Sequence, residues 1–177
     1  MSGSFEALGG DTVYHGRLVD VRIERFRHAD GEEVTREVVH HRGAVAVVAY
    51  DAEHVWLERQ PREAIGEPAL LEIPAGRLDV DGERPLQAAQ RELAEEIGRG
   101  AEHWEPILTY YTSAGFTDEQ VHLFAATELH PASADSGEQE RIELVPWPLP
   151  ELDDAIAQCR DAKTLIGLMW LARRLGT

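Results

Sequence analysis

Three glutamates, Glu92, Glu95 and Glu96, fall at spacings of three and four, which lines their carboxylates along one face of a helix. Bare carboxylates this close repel one another, so the cluster invites a cation. Hard oxygen donors suit Mg2+ or Mn2+ better than Zn2+, above all where phosphate must also be accepted. An isolated E-x-x-E-E most often does no more than solvate a helix surface. Here it has company. A glycine-bearing loop, Ile73-Pro74-Ala75-Gly76, comes first, Glu83 stands at the helix entrance, and Arg91 immediately precedes the first glutamate.

The elements that must position these groups can be read from pattern. Pro85 as a starting residue and Gly98 as a terminator frame a helix with an apolar face of Leu86, Ala89, Leu93 and Ile97. Residues 44–50, 55–58, 70–73, 107–112 and 121–126 are short runs rich in β-branched and aromatic residues, which predicts a mixed sheet. Leu18 to Phe26 alternates apolar and polar residues, and the His28-Ala29-Asp30-Gly31 turn leads to Val34 through His40, which predicts an N-terminal β-hairpin. A second helical region runs from Glu151 to about Leu175, broken near Asp161, with Leu165, Leu168, Met169 and Ala172 facing the sheet and Trp170 also in the core. Residues 132–140 are small, polar and acidic and read as a surface loop with room for function. His40 and His41 are neighbours in a strand, point to opposite faces and are assigned structural roles.

Composition narrows the class. The 177 residues, 43% hydrophobic and 28% charged, suit a globular domain with a real core. A net charge of −16 repels nucleic acid and anionic lipid, so neither is an expected partner, and a polyanionic substrate needs local arginines or bound cations. Cys159 is the single cysteine, which excludes an internal disulfide and fits a reducing cytoplasm. No run approaches the roughly 20 apolar residues that span a bilayer. Among 17 basic residues only Lys163 is a lysine.

Taken together, Gly76, Glu83 and Arg91-Glu92-Leu93-Ala94-Glu95-Glu96-Ile97-Gly98 closely resemble the Nudix box, a glycine, a glutamate and then R-E-x-x-E-E-x-G. Six residues, Arg77 to Gly82, separate the first glycine from the first glutamate where five are usual, and Arg99 stands where an aliphatic residue is usual. The extra residue falls in the loop and leaves the ligand spacing untouched. The resemblance extends from about Arg36 to Met169 and is similar in particular to the ADP-ribose pyrophosphatase branch. Leu71 to Gly76, Ser113 to Glu119 and Asp161 to Thr164 carry that likeness.

The resemblance implies an α/β fold, a Nudix-type α/β/α sandwich with a mixed sheet. It implies an N-terminal β-hairpin region, 1–42, exchanged in a homodimer, and a hydrolase domain at 43–177. It implies a Mg2+ site, with Mn2+ as a substitute, in which Glu92 and Glu96 are the principal ligands, Glu95 a shared one and the Ala75 carbonyl a further one. Gly76, Glu83, Arg91 and Gly98 would shape the box. Glu138 is favoured as catalytic base and Glu140 as a supporting carboxylate. Arg36, Glu37, Arg62 and Arg77 would meet the adenine end and the phosphates, and Gly115, Phe116 and Glu119 the ribose side. The implied reaction splits a nucleoside diphosphate sugar, ADP-ribose first, into AMP and ribose 5-phosphate. Ala114 stands where that branch usually has proline, which keeps another substrate such as GDP-mannose open. A sensor that binds ADP-ribose without cleaving it is the reading from a different class; such proteins usually lose box carboxylates, and here all are present.

Overall fold

The computed structural model describes residues 4–133 and 141–176. By contact density the chain divides into two compact units, Met1–Gly43 with Tyr110–Gln120, and Ala44–Thr109 with Val121–Thr177.

The first unit is built on a three-stranded antiparallel sheet in the order β1 (Phe5–His15), β2 (Asp20–His28), β3 (Glu33–His40). The predicted hairpin is β2 and β3, and β1 is an additional strand. Its Gly9 and Gly10 serve the strand. The register shifts between Ala7 and Gly9, Gly9 takes φ +88°, and a Cβ on Gly10 would lie 2.3 Å from the Ile23 carbonyl oxygen. The 112–119 turn docks on the end of β3, where Val39 N–H donates to Phe116 O at 2.8 Å and Asp118 N–H donates to Val39 O. His40 and His41 each meet carboxylates: His40 contacts Asp118 and Glu24, and His41 lies 3.4 Å from Glu119.

The second unit holds a seven-stranded mixed sheet with the path β10-β5-β4-β9-β8. Its members are β4 (Ala44–Tyr50), β5 (His54–Arg62), β6 (Glu67–Glu72), β7 (Ala75–Arg77), β8 (Arg99–Tyr111), β9 (Gln120–Pro131) and β10 (Glu143–Pro148); β6 pairs with β5 and β7 with β4. Strand β4 runs parallel to β9, and its residues 45–49 are all fully buried, because both of its faces are covered. Val45, Val47 and Ala49 meet Ala88, Ala89, Leu93 and Ile97 of α1 (Pro85–Ile97), together with Phe124 and Ala126. Val48 faces the other way, onto α3 (Ala162–Leu175), where Gly167 admits the close approach: a Cβ there would lie 2.8 Å from Val48 Cγ2. A short α2 (Leu152–Gln158) packs on α3. The result is the expected α/β/α sandwich.

Edge strand β10 was not expected, since Pro146 and Pro148 remove donors; at the sheet's edge that loss is tolerated. Core expectations on both α3 and α1 need correction. Met169 is 57% exposed, because α3 buries Thr164, Gly167, Leu168, Leu171 and Ala172, a stripe turned from the predicted one; Trp170 is only half-buried and carries Arg174 over its ring. Leu86 is also exposed, and Ala88 takes its place at the helix–sheet contact. Among the described residues no helix is long and apolar enough to cross a membrane.

Candidate active site

Helix α1 is set by its ends. Pro85 occupies the first turn, Gln87 Oε1 accepts from Arg84 N–H at 3.1 Å, and Gly98 closes the helix at φ +64° with its N–H on Ala94 and Leu93 carbonyls. With Leu93 and Ile97 committed to the sheet, Glu92, Glu95 and Glu96 are left half-buried along its flank. Arg91 holds two of them. It makes a bidentate pair with Glu83, Nε to Oε1 at 3.1 Å and Nη2 to Oε2 at 3.0 Å, while Nη1 donates to Glu92 at 2.8 Å and Glu95 at 3.0 Å. The Glu83 hydrogen bonds, with Glu92 adding and burial opposing, hold the Arg91 guanidinium protonated far above its ordinary range.

Strand β7 lies across from this flank. Ala75 N–H donates to Glu96 Oε2 at 2.8 Å, so loop and helix are bonded at the third glutamate. A Cβ on Gly76 would lie 1.9 Å from Glu92 Cδ, so the missing side chain is the space that Glu92 occupies. Pro74 O accepts from Val47 N–H at 2.8 Å, which pins the loop to β4. Arg77 follows, 3.3 Å from Asp79.

Among the described residues no three acidic, histidine or cysteine side chains already form a metal cage. Arg91 draws Glu92 and Glu95 to itself, and the Ala75 N–H takes an oxygen of Glu96. The donor chemistry nevertheless fits a hard cation: three carboxylates, Glu83, Glu92 and Glu95, share the Arg91 guanidinium, Glu96 stands one residue beyond Glu95 on the Ala75 N–H, and the oxygens are those that Mg2+ prefers.

Residues 40–162 match the NUDIX domain. The chain belongs to the Nudix family. This Nudix hydrolase is 38% identical to an ADP-ribose pyrophosphatase of Mycobacterium tuberculosis (strain ATCC 25618 / H37Rv) over 141 residues, 79% of this chain and 68% of that one. It is 35% identical to an ADP-ribose pyrophosphatase of Bacillus subtilis (strain 168), over 94% of this chain and 91% of the relative. The crystal structure of an ADP compounds hydrolase superposes with a TM-score of 0.85 at 25% identity, covering 98% of this chain and 95% of that chain.

Of the site residues expected of this Nudix chain, Ala75, Gly76, Arg77, Glu83, Arg91, Glu92, Glu95, Glu96, Gly98 and Arg62 all belong to the second unit. Arg36, Glu37, Gly115, Phe116 and Glu119 belong to the first. There Arg36 and Glu37 are exposed neighbours on β3, Phe116 is 55% exposed, and Glu119 accepts from Thr112 Oγ1 at 2.8 Å. Glu138 and Glu140 lie outside the described residues.

Sequence reasoning missed a buried polar cluster beside this site. Glu58 and Glu72 face each other across β5 and β6, and both are buried. Glu72 pairs with Arg62, Nε to Oε2 at 2.6 Å, and with Lys163. Glu58 Oε1 accepts from Gln60 at 2.7 Å, but its Oε2 is buried without a hydrogen bond. Burial pushes the Glu58 carboxyl up to about 7; the Glu72 charge adds to this, and Gln60, Arg62 and Lys163 oppose it. The available signal was a carboxylate at an apolar strand position on each of two adjacent strands.

Proposed function

We propose that the chain hydrolyses the diphosphate linkage of a nucleoside diphosphate sugar, and that its substrate is ADP-ribose, cleaved with one water to AMP and ribose 5-phosphate. The observation that carries the reading is the coupling of the α1 glutamates to the loop across from them, Glu96 on the Ala75 N–H and Glu92 in the space left by Gly76. Similarity to two ADP-ribose pyrophosphatases supports the choice of sugar.

Ala75, through its carbonyl, and Glu92, Glu95 and Glu96 would hold Mg2+, or Mn2+ in its place. Bound there, the cation supplies Lewis acidity toward the diphosphate and eases deprotonation of water. Glu83 and Arg91 keep the glutamates oriented. Glu138 takes the proton of the attacking water, with Glu140 in support, as the water oxygen joins one phosphorus and the bridging P–O bond breaks. Arg36, Glu37, Arg62 and Arg77 hold the adenine end and the phosphates, and Gly115, Phe116 and Glu119 the ribose side. The working form is a cytoplasmic homodimer, with region 1–42 exchanged between copies and 43–177 as the hydrolase domain.

The test is a coupled phosphate-release panel of ADP-ribose, GDP-mannose, NADH and a nucleoside triphosphate with excess Mg2+, run beside Glu96→Gln. Selective, Mg2+-dependent cleavage of ADP-ribose that Glu96→Gln abolishes is the expected result. Preference for GDP-mannose would overturn the substrate, and tight ADP-ribose binding without turnover would overturn hydrolysis.

A further inference from the structure

Lys163 is the chain's single lysine, and it is spent inside the buried cluster rather than on the surface. Its ammonium contacts Glu72 Oε1 and lies 3.0 Å from Asp161 Oδ2. Asp161 caps α3, accepting from Thr164 N–H at 3.0 Å and Thr164 Oγ1 at 2.6 Å. Thr164 Oγ1 in turn accepts from Ile73 N–H at 2.9 Å. The start of α3 is therefore stapled to residues 72 and 73, and Ala75, with its N–H on Glu96, follows two residues on.

Glu72 is 1% exposed and has two oxygens to satisfy. Lys163 takes one, and Arg62 Nε takes the other at 2.6 Å. Among the described residues the Arg62 Nη nitrogens have no hydrogen bond, the side chain is 38% exposed, and the guanidinium feels the Glu96 charge. A guanidinium held by Nε with its Nη edge unspent is prepared for a phosphate. A compact ammonium suits the buried oxygen, where a second planar fork would compete with Arg62 for Glu72.

We propose that Lys163 is a positioning residue of the diphosphate site: by occupying one oxygen of the buried Glu72 it directs the other to Arg62 Nε, fixing the Arg62 guanidinium to receive a substrate phosphate. This rests on the reading of the site as a diphosphatase. Lys163 touches no substrate and acts through Arg62.

The experiment is a double-mutant cycle on binding, independent of turnover: calorimetric titration of Mg2+ with inorganic pyrophosphate into the full chain, Lys163→Met, Arg62→Ala and the double variant, each with its melting temperature. Lys163→Met and Arg62→Ala should each weaken pyrophosphate binding about 10- to 100-fold, the range expected when a supporting partner is lost. The double variant should be no more than about twofold weaker than Arg62→Ala alone. Additive losses, or unchanged binding in Lys163→Met, would overturn the proposal. Should Lys163→Met fail to fold, Lys163→Arg retains the charge; binding at the level of the parent chain in that variant would also overturn it. If the parent chain binds Mg2+-pyrophosphate and the cycle is non-additive while no nucleoside diphosphate sugar is cleaved, the proposal stands and the hydrolase reading fails.

Discussion

Glu58 shows how far one residue can set solution behaviour. Its carboxyl is raised from 4.5 to about 7 by burial, so the folded chain binds a proton that the unfolded chain has released between those values. The stability this contributes is present in full below about 4.5 and is lost as pH rises through about 7. Glu58→Gln keeps the shape and cannot ionise. It should match the parent chain near pH 4.5 and exceed it at pH 8 by roughly 3 kcal/mol, read from urea unfolding at the two pH values. Equal stabilities at pH 8 would show that burial does not raise the Glu58 carboxyl. Gly76 makes a different prediction, because a Cβ there meets the flexible end of Glu92 and not backbone. Gly76→Ala should leave the melting temperature nearly unchanged while Mn2+ binding, followed by electron paramagnetic resonance, weakens on the order of 10-fold or more.

Among the elements, α1 depends on Arg91 as its own counter-ion. Arg91→Gln leaves Glu83, Glu92 and Glu95 without their shared partner and should cost roughly 2–3 kcal/mol, less than a fully buried pair because these side chains keep some water contact. Added Mg2+ should recover more melting temperature in this variant than in the parent chain, since a cation that binds only the folded form stabilises it. No Mg2+ effect in either protein would remove the metal site from the helix. The elements also show what the sequence made legible. Strand β4 ends where its apolar run ends, and α1 stops at the expected glycine, because burial and capping act locally. Strand β1 was illegible since its glycines answer to a neighbouring backbone, and the stripe of α3 was misplaced since Gly167, weightless in a hydrophobic pattern, decides the face. Spacing put the box glutamates on one helix face, but it took the glycine loop, Glu83 and Arg91 around them to single them out. The link from Lys163 to Glu72 spans 91 residues of sequence, and no local pattern records it.

For the whole molecule, a charge of −16 on 177 residues means that most long-range electrostatics is self-repulsion. Raising NaCl from about 20 to 200 mM should therefore raise the melting temperature at pH 8, as the screening length shrinks toward about 8 Å. Near the sequence pI of 4.8 the same change should do little or lower it. A fall at pH 8 would mean that the Arg91 and Glu72 ion pairs outweigh the repulsion.

Strand β10 ends the sheet with prolines opposite Trp56 and His54, yet its ladder with β5 runs unbroken from Glu143 to Pro148. A ladder survives proline only where the missing N–H would have pointed outward. The outer rim at 146 and 148 thus offers a visiting strand no donors at the places where fibril growth would need them. Crowded solutions of this acidic chain should clump by some other edge, or not at all.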